Sequence, residues 1–555
     1  MSHDSTALPP ALGSAAPADV ALVEALRDDL VAARFRVDTI DALWGPSAAA
    51  ALHRGQREPA VRAIERARAS GAPVSPVSTL ARLFLLGSSV PADEVADALP
   101  RLGVAGLEAL GFVGPSGPSG EVRARLDLRP YSFVDSLGAG SWWIASDLGE
   151  SVLGRPLDPD HVLGIGGASM TLSGLMIPTP VDSVLDLGTG CGIQALHAAR
   201  HARRVVATDI SRRALAIAAF NARLNGIDSI EFRHGSLFEP VAGERFDRIV
   251  SNPPFVITPR QEGVPLYEYR DGGLVGDALV ASVIRSAPSH LAPGGIAQLL
   301  GNWEYRDSDG LHRVRSWVAS SPVAVDAWVI ERDRQDAPLY AETWIRDGGT
   351  RPGTPAFDSL YSSWLDDFEA RGVREVGFGY VLLRRPMAAP SVGAPASAPA
   401  GSAGSAGSSG SAVAPAPTLD RYERVDAAIG SNPIGLGDHL AVCLAGHDWQ
   451  AHRSDDELLA GTYVYASDVT EERHYWPGHD DPVVMTLRQG GGFSRSADLD
   501  TGLAAFVGAC DGDLSASAIA AAIAQVLDAD EAALRAALAP RLRALLVDAF
   551  LLPAS

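Results

Sequence analysis

Three glycines set two residues apart, in Val184-Leu-Asp-Leu-Gly-Thr-Gly-Cys-Gly-Ile193, constrain the fold of this chain more than any other feature. An apolar run carries Asp186, and the glycines at 188, 190 and 192 let the backbone turn from a strand directly into a helix. With no Cβ in the way, main chain can approach a ligand there. Downstream, strand and helix patterns alternate: Ser183–Leu187, Ile193–His201, Val205–Thr208, Arg212–Leu224, Ile230–His234, Arg245–Ser251, Gly276–Leu291, Ile296–Leu300, Val323–Ile330 and Val376–Leu383. That alternation predicts an α/β fold, a Rossmann-like parallel sheet with helices on both faces. Ligands of such sheets sit beyond the carboxyl ends of the strands, where Gly188, Asp209, Ser236 and Asn252 fall.

The glycine pattern is GxGxG and not GxGxxG, and an acid already lies in the first strand, which favours S-adenosylmethionine over a dinucleotide. Asp209 ends Val205-Val-Ala-Thr-Asp209, where an acid can accept both hydroxyls of a ribose. Ser211 or Asp209 capping the next helix is the plainer alternative. Asp186, Gly188, Thr189, Gly190, Gly192, Asp209, Ile210, Ser236, Leu237 and Asn252 are the expected cofactor-binding residues. Ser236 stands where an acid or amide often meets an adenine amine, so that contact is expected from the backbone of Leu237.

The second feature is Asn252-Pro253-Pro254-Phe255, after the apolar run Arg245–Ser251. A planar amide or ring nitrogen holds its lone pair in conjugation. A site that methylates it needs acceptors for the NH2 protons and a flat surface beside it. Asn252 Oδ1 and a prolyl carbonyl supply the acceptors, Phe255 the surface, and the prolines stiffen the turn. Asn252, Pro253, Pro254 and Phe255 are therefore the expected catalytic residues; an ordinary strand-ending turn is the plainer reading.

Phe246-Asp-Arg-Ile-Val-Ser-Asn-Pro-Pro-Phe-Val-Ile-Thr-Pro-Arg260, taken with Asp186–Gly192, resembles the class I S-adenosylmethionine-dependent methyltransferases of the small-domain group. That group includes the HemK-type glutamine methyltransferases of peptide-release factors and ribosomal-RNA guanine methyltransferases. The resemblance runs from Val181 to Arg385. It implies cofactor binding by Asp186, Gly188, Gly190 and Asp209 and acceptor binding by Asn252, Pro253, Pro254 and Phe255. The continuation Val256-Ile-Thr-Pro259 looks most like the glutamine methyltransferases of the eukaryotic and archaeal type, whereas Phe at 255 is shared with enzymes acting on RNA. The favoured acceptor is a protein glutamine amide, as in a release factor. The rival is an exocyclic amine of adenine or guanine in RNA or DNA, and a third reading is a non-catalytic cofactor-binding scaffold.

The rest of the chain divides by composition. Residues 1–19 read as a disordered tail and residues 388–417, almost all Ala, Gly, Ser and Pro, as a flexible linker. Residues 20–140 read as short helices, with Val23, Leu26, Leu30, Leu80, Leu83, Phe84, Val95, Leu99, Leu107 and Leu110 at three- and four-residue spacings. After Gly114–Gly120 comes alternation, Val122, Ala124, Leu126 and Leu128 against Arg123, Arg125 and Arg129. Helices followed by a strand pair predict a winged-helix-like module, serving either to recognise a macromolecular substrate or to cap the catalytic domain, residues 141–387. Residues 418–555 read as a small α+β module.

The formal charge of −21 and pI of about 5.0 argue against a broad basic surface coating nucleic acid. Residues 418–555 carry 9 Arg and 21 acids, hence −12, which points to docking on a basic protein or on the catalytic domain. All basic residues are arginine, a bias that carries no functional weight. Cys191, Cys443 and Cys510 lie far apart, so neither a disulfide framework nor a zinc cage is expected. No metal and no membrane partner are expected, and the amino terminus lacks a signal-peptide pattern, so a cytoplasmic location is expected. Glu471–Asp481, with His474 and His479, reads as a polar loop; Tyr267–Gly273 reads as a lid or a connecting loop; Trp142 and Trp143 read as packing residues.

Overall fold

The computed structural model describes residues 17–71, 73–115, 120–153, 157–261, 263–306, 309–387 and 416–554. The expected tail, up to residue 16, and the expected linker, over 388–415, lie outside these. The chain forms two compact units, one bounded by Met1–Ser132, Ser141–Leu172 and Pro180–Glu423, the other by Phe133–Gly140, Ser173–Thr179 and Arg424–Ser555.

The first unit opens with helices Pro17–Ala32, Val37–Trp44, Pro46–His53, Glu58–Ala69 and Pro76–Leu80, the last running on as a π-helical turn, Ala81–Leu85. Then come β1 (Val90–Pro91), helices Ala92–Ala98 and Gly103–Ala109, and β2 (Glu121–Val122). β1 pairs antiparallel with β2, and Val113 bridges Ala124. The strands thus pair across two intervening helices, where the sequence pattern leads one to expect helices followed by a strand pair. All ten periodic apolar residues from Val23 to Leu110 are fully buried, while Arg123, Arg125 and Arg129 are exposed. A hairpin of β3 (Leu126–Asp135) and β4 (Gly138–Asp147) follows. Trp142 is buried beside His197, and the Trp143 indole donates to the Phe35 carbonyl at 2.7 Å, so both are packing residues.

The sheet that carries the site contains β5 (Val181–Leu187), β6 (Ala202–Asp209), β7 (Ile230–His234), β8 (Phe246–Ser251), β9 (Leu291–Tyr305), β10 (Asp326–Asp336), β11 (Glu375–Arg384) and β12 (Asp420–Arg424), in the order β12-β10-β11-β9-β8-β5-β6-β7. Strands β5 to β9 pair in parallel, as the alternating pattern requires. β11 runs antiparallel to both β9 and β10, so the sheet is mixed rather than wholly parallel. The reason is the connection: two helices, Ala337–Asp347 and Pro355–Arg371, return the chain from β10 to its neighbour β11. Asp336 and Thr354 cap these helices through their side-chain oxygens. On β10, the buried Glu331 side chain accepts from Trp303 Nε1 at 2.7 Å and from the Tyr305 hydroxyl at 2.6 Å, so its oxygens are partnered where burial would penalise them unpaired.

In the second unit, β13 (Thr462–Tyr465) lies between β17 (Asp511–Ser515) and β18 (Leu551–Pro553), while β14 (Val469–Tyr475), β15 (Pro482–Gln489) and β16 (Ser496–Leu499) form a meander. Helices Ala516–Leu527 and Glu531–Val547 connect β17 to β18 and bury Ile519, Ile523, Leu538, Leu542 and Leu546 in the unit's core. Glu471 to Tyr475 belong to β14, so the stretch read as a polar loop is instead one arm and the turn of the β14–β15 hairpin.

Candidate active site

The order of the strands reverses between β5 and β8, and these two lie side by side with Leu187 opposite Ser251. The next residues, Gly188 and Asn252, therefore leave the sheet together at its carboxyl edge, where α/β sheets open a crevice. A cavity of about 540 Å³ lies there. Ser251, fully buried, donates its hydroxyl to the Leu187 carbonyl at 2.7 Å and ties the two strand ends together.

The glycine loop has the conformation its residues require. Gly188, Gly190 and Gly192 have φ of +76°, +54° and +90°, values that side chains other than glycine's rarely adopt. The amides of Gly188 and Thr189 both donate to the Thr208 carbonyl at 2.9 Å. Asp186 is fully buried and accepts from the Thr189 hydroxyl at 2.6 Å; burial pushes its carboxyl up to about 7, against the pull of that hydroxyl bond. Asp209 accepts from the amides of Gly190 and Ser211 at 2.9 and 2.8 Å, and burial raises its carboxyl too. Ser211, not Asp209, caps the helix Arg212–Leu224, through the Ala214 amide. Leu237 holds φ of +48°, a strained conformation for a leucine that turns the chain at the cavity wall.

Gly188, Thr189, Gly190, Asp209, Ile210, Ser236, Leu237 and Asn252 all line the cavity. Asp186 and Gly192 do not: Asp186 holds the loop through the Thr189 hydroxyl, and Gly192 starts the helix Ile193–Ala198, where a Cβ would crowd Ala218.

On the acceptor side Asn252, Pro253 and Pro254 line the cavity. Asn252 Oδ1 is buried and has no hydrogen-bond partner among the described residues. Phe255 is placed differently from the sequence expectation. It is not part of the cavity wall; its ring packs edge-on to Trp344 with centroids 6.0 Å apart. The aromatic side chain on the wall is Tyr267, 4% exposed, with the Arg270 guanidinium over its ring at 4.5 Å. The chain beyond the turn is fixed by Tyr340, whose hydroxyl accepts from the Ile257 amide and from Asn302 Nδ2, each at 2.9 Å. Tyr340 and Trp344 both belong to the helix Ala337–Asp347, so the connection between β10 and β11 braces this side of the site.

Sequence reasoning missed the opposite wall, Pro159 to Gly164 and Ser169. The Asp147 carboxylate holds it by pairing with Arg213 and accepting from the Val162 amide at 2.7 Å. His161 is buried there, and burial lowers its basicity. Gln194 Nε2 reaches the Ser169 carbonyl at 2.7 Å. The only signal in this stretch is Gly164-Ile-Gly-Gly167, a glycine cluster without periodicity.

An S-adenosyl group fits what is present. The cavity has no neighbour within 4 Å of the positions a Cβ would take on Gly188 and Gly190, so the loop leaves its near side open. Asp209 faces the cavity with oxygens held by main-chain amides, and Asn252 offers an orphaned acceptor at the far end. Among the described residues no group of three or more His, Cys, Asp or Glu side chains could hold a metal ion, and no helix is long and apolar enough to cross a membrane.

Residues 167–314 match the methyltransferase small domain family, and residues 32–125 match a domain of unknown function, DUF7059. A ribosomal protein uL3 glutamine methyltransferase of Bradyrhizobium diazoefficiens is 38% identical over 155 residues, 26% of this chain and 47% of the relative. A release factor glutamine methyltransferase of Xylella fastidiosa is 43% identical over 129 residues, 22% of this chain and 47% of the relative. The chain thus spans about half the length of these curated relatives. A solved ribosomal protein L11 methylase of Lactobacillus delbrueckii covers 40% of this chain and 82% of its own at 21% identity and a TM-score of 0.23, a likeness too slight to weigh. The stretch that carries both the glycine loop and the Asn252 turn matches the methyltransferase small domain and is similar to glutamine methyltransferases of the HemK type.

Proposed function

We propose that this protein is an S-adenosylmethionine-dependent N-methyltransferase whose acceptor is a protein glutamine side-chain amide. The observation that carries the reading is Asn252 Oδ1, a buried amide oxygen without a partner in the described residues, on a proline-stiffened turn beside the glycine loop. A buried acceptor left unpaired is costly, by about 1–3 kcal/mol, and an incoming NH2 relieves that cost.

The residues divide the work. Gly188, Thr189, Gly190, Asp209, Ile210, Ser236 and Leu237 would hold the nucleoside, with Asp209 accepting from its ribose hydroxyls and main chain at Leu237 meeting its base. When bound, S-adenosylmethionine supplies a methyl group already activated by a positive sulfonium, so the chain need supply no strong base. Asn252 Oδ1 and a prolyl carbonyl of the turn accept the amide protons, hold the nitrogen pointed into the cavity and favour the pyramidal geometry in which its lone pair is free. As the nitrogen loses planarity those protons become more acidic, and the two hydrogen bonds strengthen; the N–CH3 bond would form as the donor's S–CH3 bond breaks to a neutral thioether, and the nitrogen would release one of those protons to solvent. Tyr267 and Pro254 wall off water from the acceptor end. Asp186 keeps the glycine loop in register through Thr189.

The electrostatics of the wall support a polypeptide over a nucleic acid. Apart from Asp209 at the nucleoside end, Asp160 and Asp271 line the cavity against one lining guanidinium, Arg260. A phosphate backbone would meet those carboxylates, whereas a neutral amide would not. The two relatives named above are glutamine methyltransferases of a ribosomal protein and of a release factor.

The test is direct. After incubation with cell lysate and the isotopically labelled methyl donor, macromolecular label should be released by protease and persist through nuclease. Release by nuclease would move the acceptor to a nucleobase amine; absence of label, with the donor still bound, would reduce the protein to a scaffold.

A further inference from the structure

The loop after the Asn252 turn carries three exposed apolar side chains, Leu266, Leu274 and Val275, at 46, 44 and 55% exposure. Leu266, Gly272 and Gly273 line the cavity, so Leu274 and Val275 directly follow residues of its wall. Single exposed leucines are ordinary; a fixed group at the mouth of a reaction cavity is not.

The fixing is extensive. Arg260 Nη2 donates to the carbonyls of Asp271 and Leu274, at 2.7 and 3.1 Å. The Asp271 carboxylate, itself buried, accepts from the Thr258 hydroxyl and the Tyr267 amide, each at 2.5 Å. The Val256 amide donates to the Arg270 carbonyl at 2.8 Å, and Arg270 in turn reaches the Trp344 carbonyl at 3.0 Å. Both ends of the 266–275 loop are thus anchored, and its ordering entropy is already met before a partner arrives.

We propose that Leu266, Leu274 and Val275 form the platform on which the polypeptide flanking the acceptor residue docks, selecting acceptors whose neighbouring side chains are apolar. This rests on the reading of the site as a protein methyltransferase. The occupant follows from continuity and charge. The loop that carries these side chains also lines the acceptor pocket, through Leu266, Gly272 and Gly273. Of the two guanidinium groups at this end, Arg260 has Nε and Nη2 engaged by loop carbonyls, and Arg270 is buried against the Tyr267 ring and beside Asp271. A chain of phosphates finds there only guanidinium groups already tied to the loop, beside a carboxylate; uncharged main chain with apolar side chains finds contact area without electrostatic conflict.

The experiment uses the full chain with two purified acceptor probes, a peptide-release factor and ribosomal protein uL3, and titrates each. Leu266→Asp, Leu274→Asp and Val275→Asp should each raise the KM for the methylated probe about tenfold or more, with S-adenosylmethionine affinity by calorimetry unchanged within about twofold. Val483→Asp, at an equally exposed valine of the second unit, should leave both values unchanged. Unaltered KM in all three loop variants, with the wild-type chain active, overturns the platform and leaves the activity standing. No transfer by the wild-type chain to either probe overturns both.

Discussion

The Ser251 hydroxyl donates to the Leu187 carbonyl at 2.7 Å, joining the last residues of β8 and β5. The glycine loop and the Asn252 turn spring from these two positions, so the sheet itself sets the spacing between the two halves of the site. Ser251→Ala leaves the Leu187 carbonyl without that buried donor. Unfolding in urea should show a loss of about 1–3 kcal/mol, with weaker donor binding; a loss below about 0.5 kcal/mol would mean that the strand ends are held by other contacts.

Asn252→Ala removes the orphaned acceptor and leaves the glycine loop untouched. Transfer should fall by about 10²–10³ in kcat, while donor affinity by calorimetry stays within a few-fold. If affinity collapses along with turnover, Asn252 belongs to the donor's site and not to the acceptor's.

Gly188→Ala tests the nucleoside end. Its φ of +76° makes any side chain strained, at a cost of about 1–2 kcal/mol, yet nothing lies within 4 Å of the new Cβ, which would project into open space. Donor affinity should therefore drop further than stability does. Parallel small losses in both would place the donor elsewhere.

Much of this was legible beforehand. Gly188, Gly190 and Asp209 announce themselves because a positive φ admits few residues but glycine and because an acid ending a second parallel strand has few other uses. Asn252 and its prolines were legible as a turn at the end of β8, because Asn-Pro marks a turn locally, and they line the cavity. Phe255 was not, since its neighbour Trp344 lies in a helix between β10 and β11 whose position depends on the register of the whole sheet. Tyr267 and the Pro159–Gly164 wall were equally hidden: they reach the cavity through loops held by Asp271, Asp147 and Arg213, contacts between residues distant in sequence and without periodicity.

Asp186 gives the fold a pH signature. Its carboxyl titrates at about 7 in the folded, donor-free protein and near 4 when unfolded. The folded state therefore holds a proton the unfolded state has lost, so this contribution is full below about pH 4, declines as pH rises and is gone above about 7. Asp186→Asn should gain stability relative to the wild type between pH 5 and pH 8 by urea unfolding. A difference independent of pH would show that Asp186 is ionised throughout that range.

Tyr340→Phe removes the hydroxyl that accepts from the Ile257 amide and from Asn302. The buried donors left behind should cost about 1–3 kcal/mol, and the loosened turn should lower kcat with donor affinity intact. Stability loss with wild-type kcat would confine Tyr340 to packing.

The most direct measurement is to locate the transferred methyl group. Fragmentation mass spectrometry of a purified release factor and of ribosomal protein uL3, after incubation with the enzyme and donor, should find one methyl group on a glutamine side-chain nitrogen, absent with Asn252→Ala. A methyl group on any other atom, or one that persists in that variant, would contradict the account.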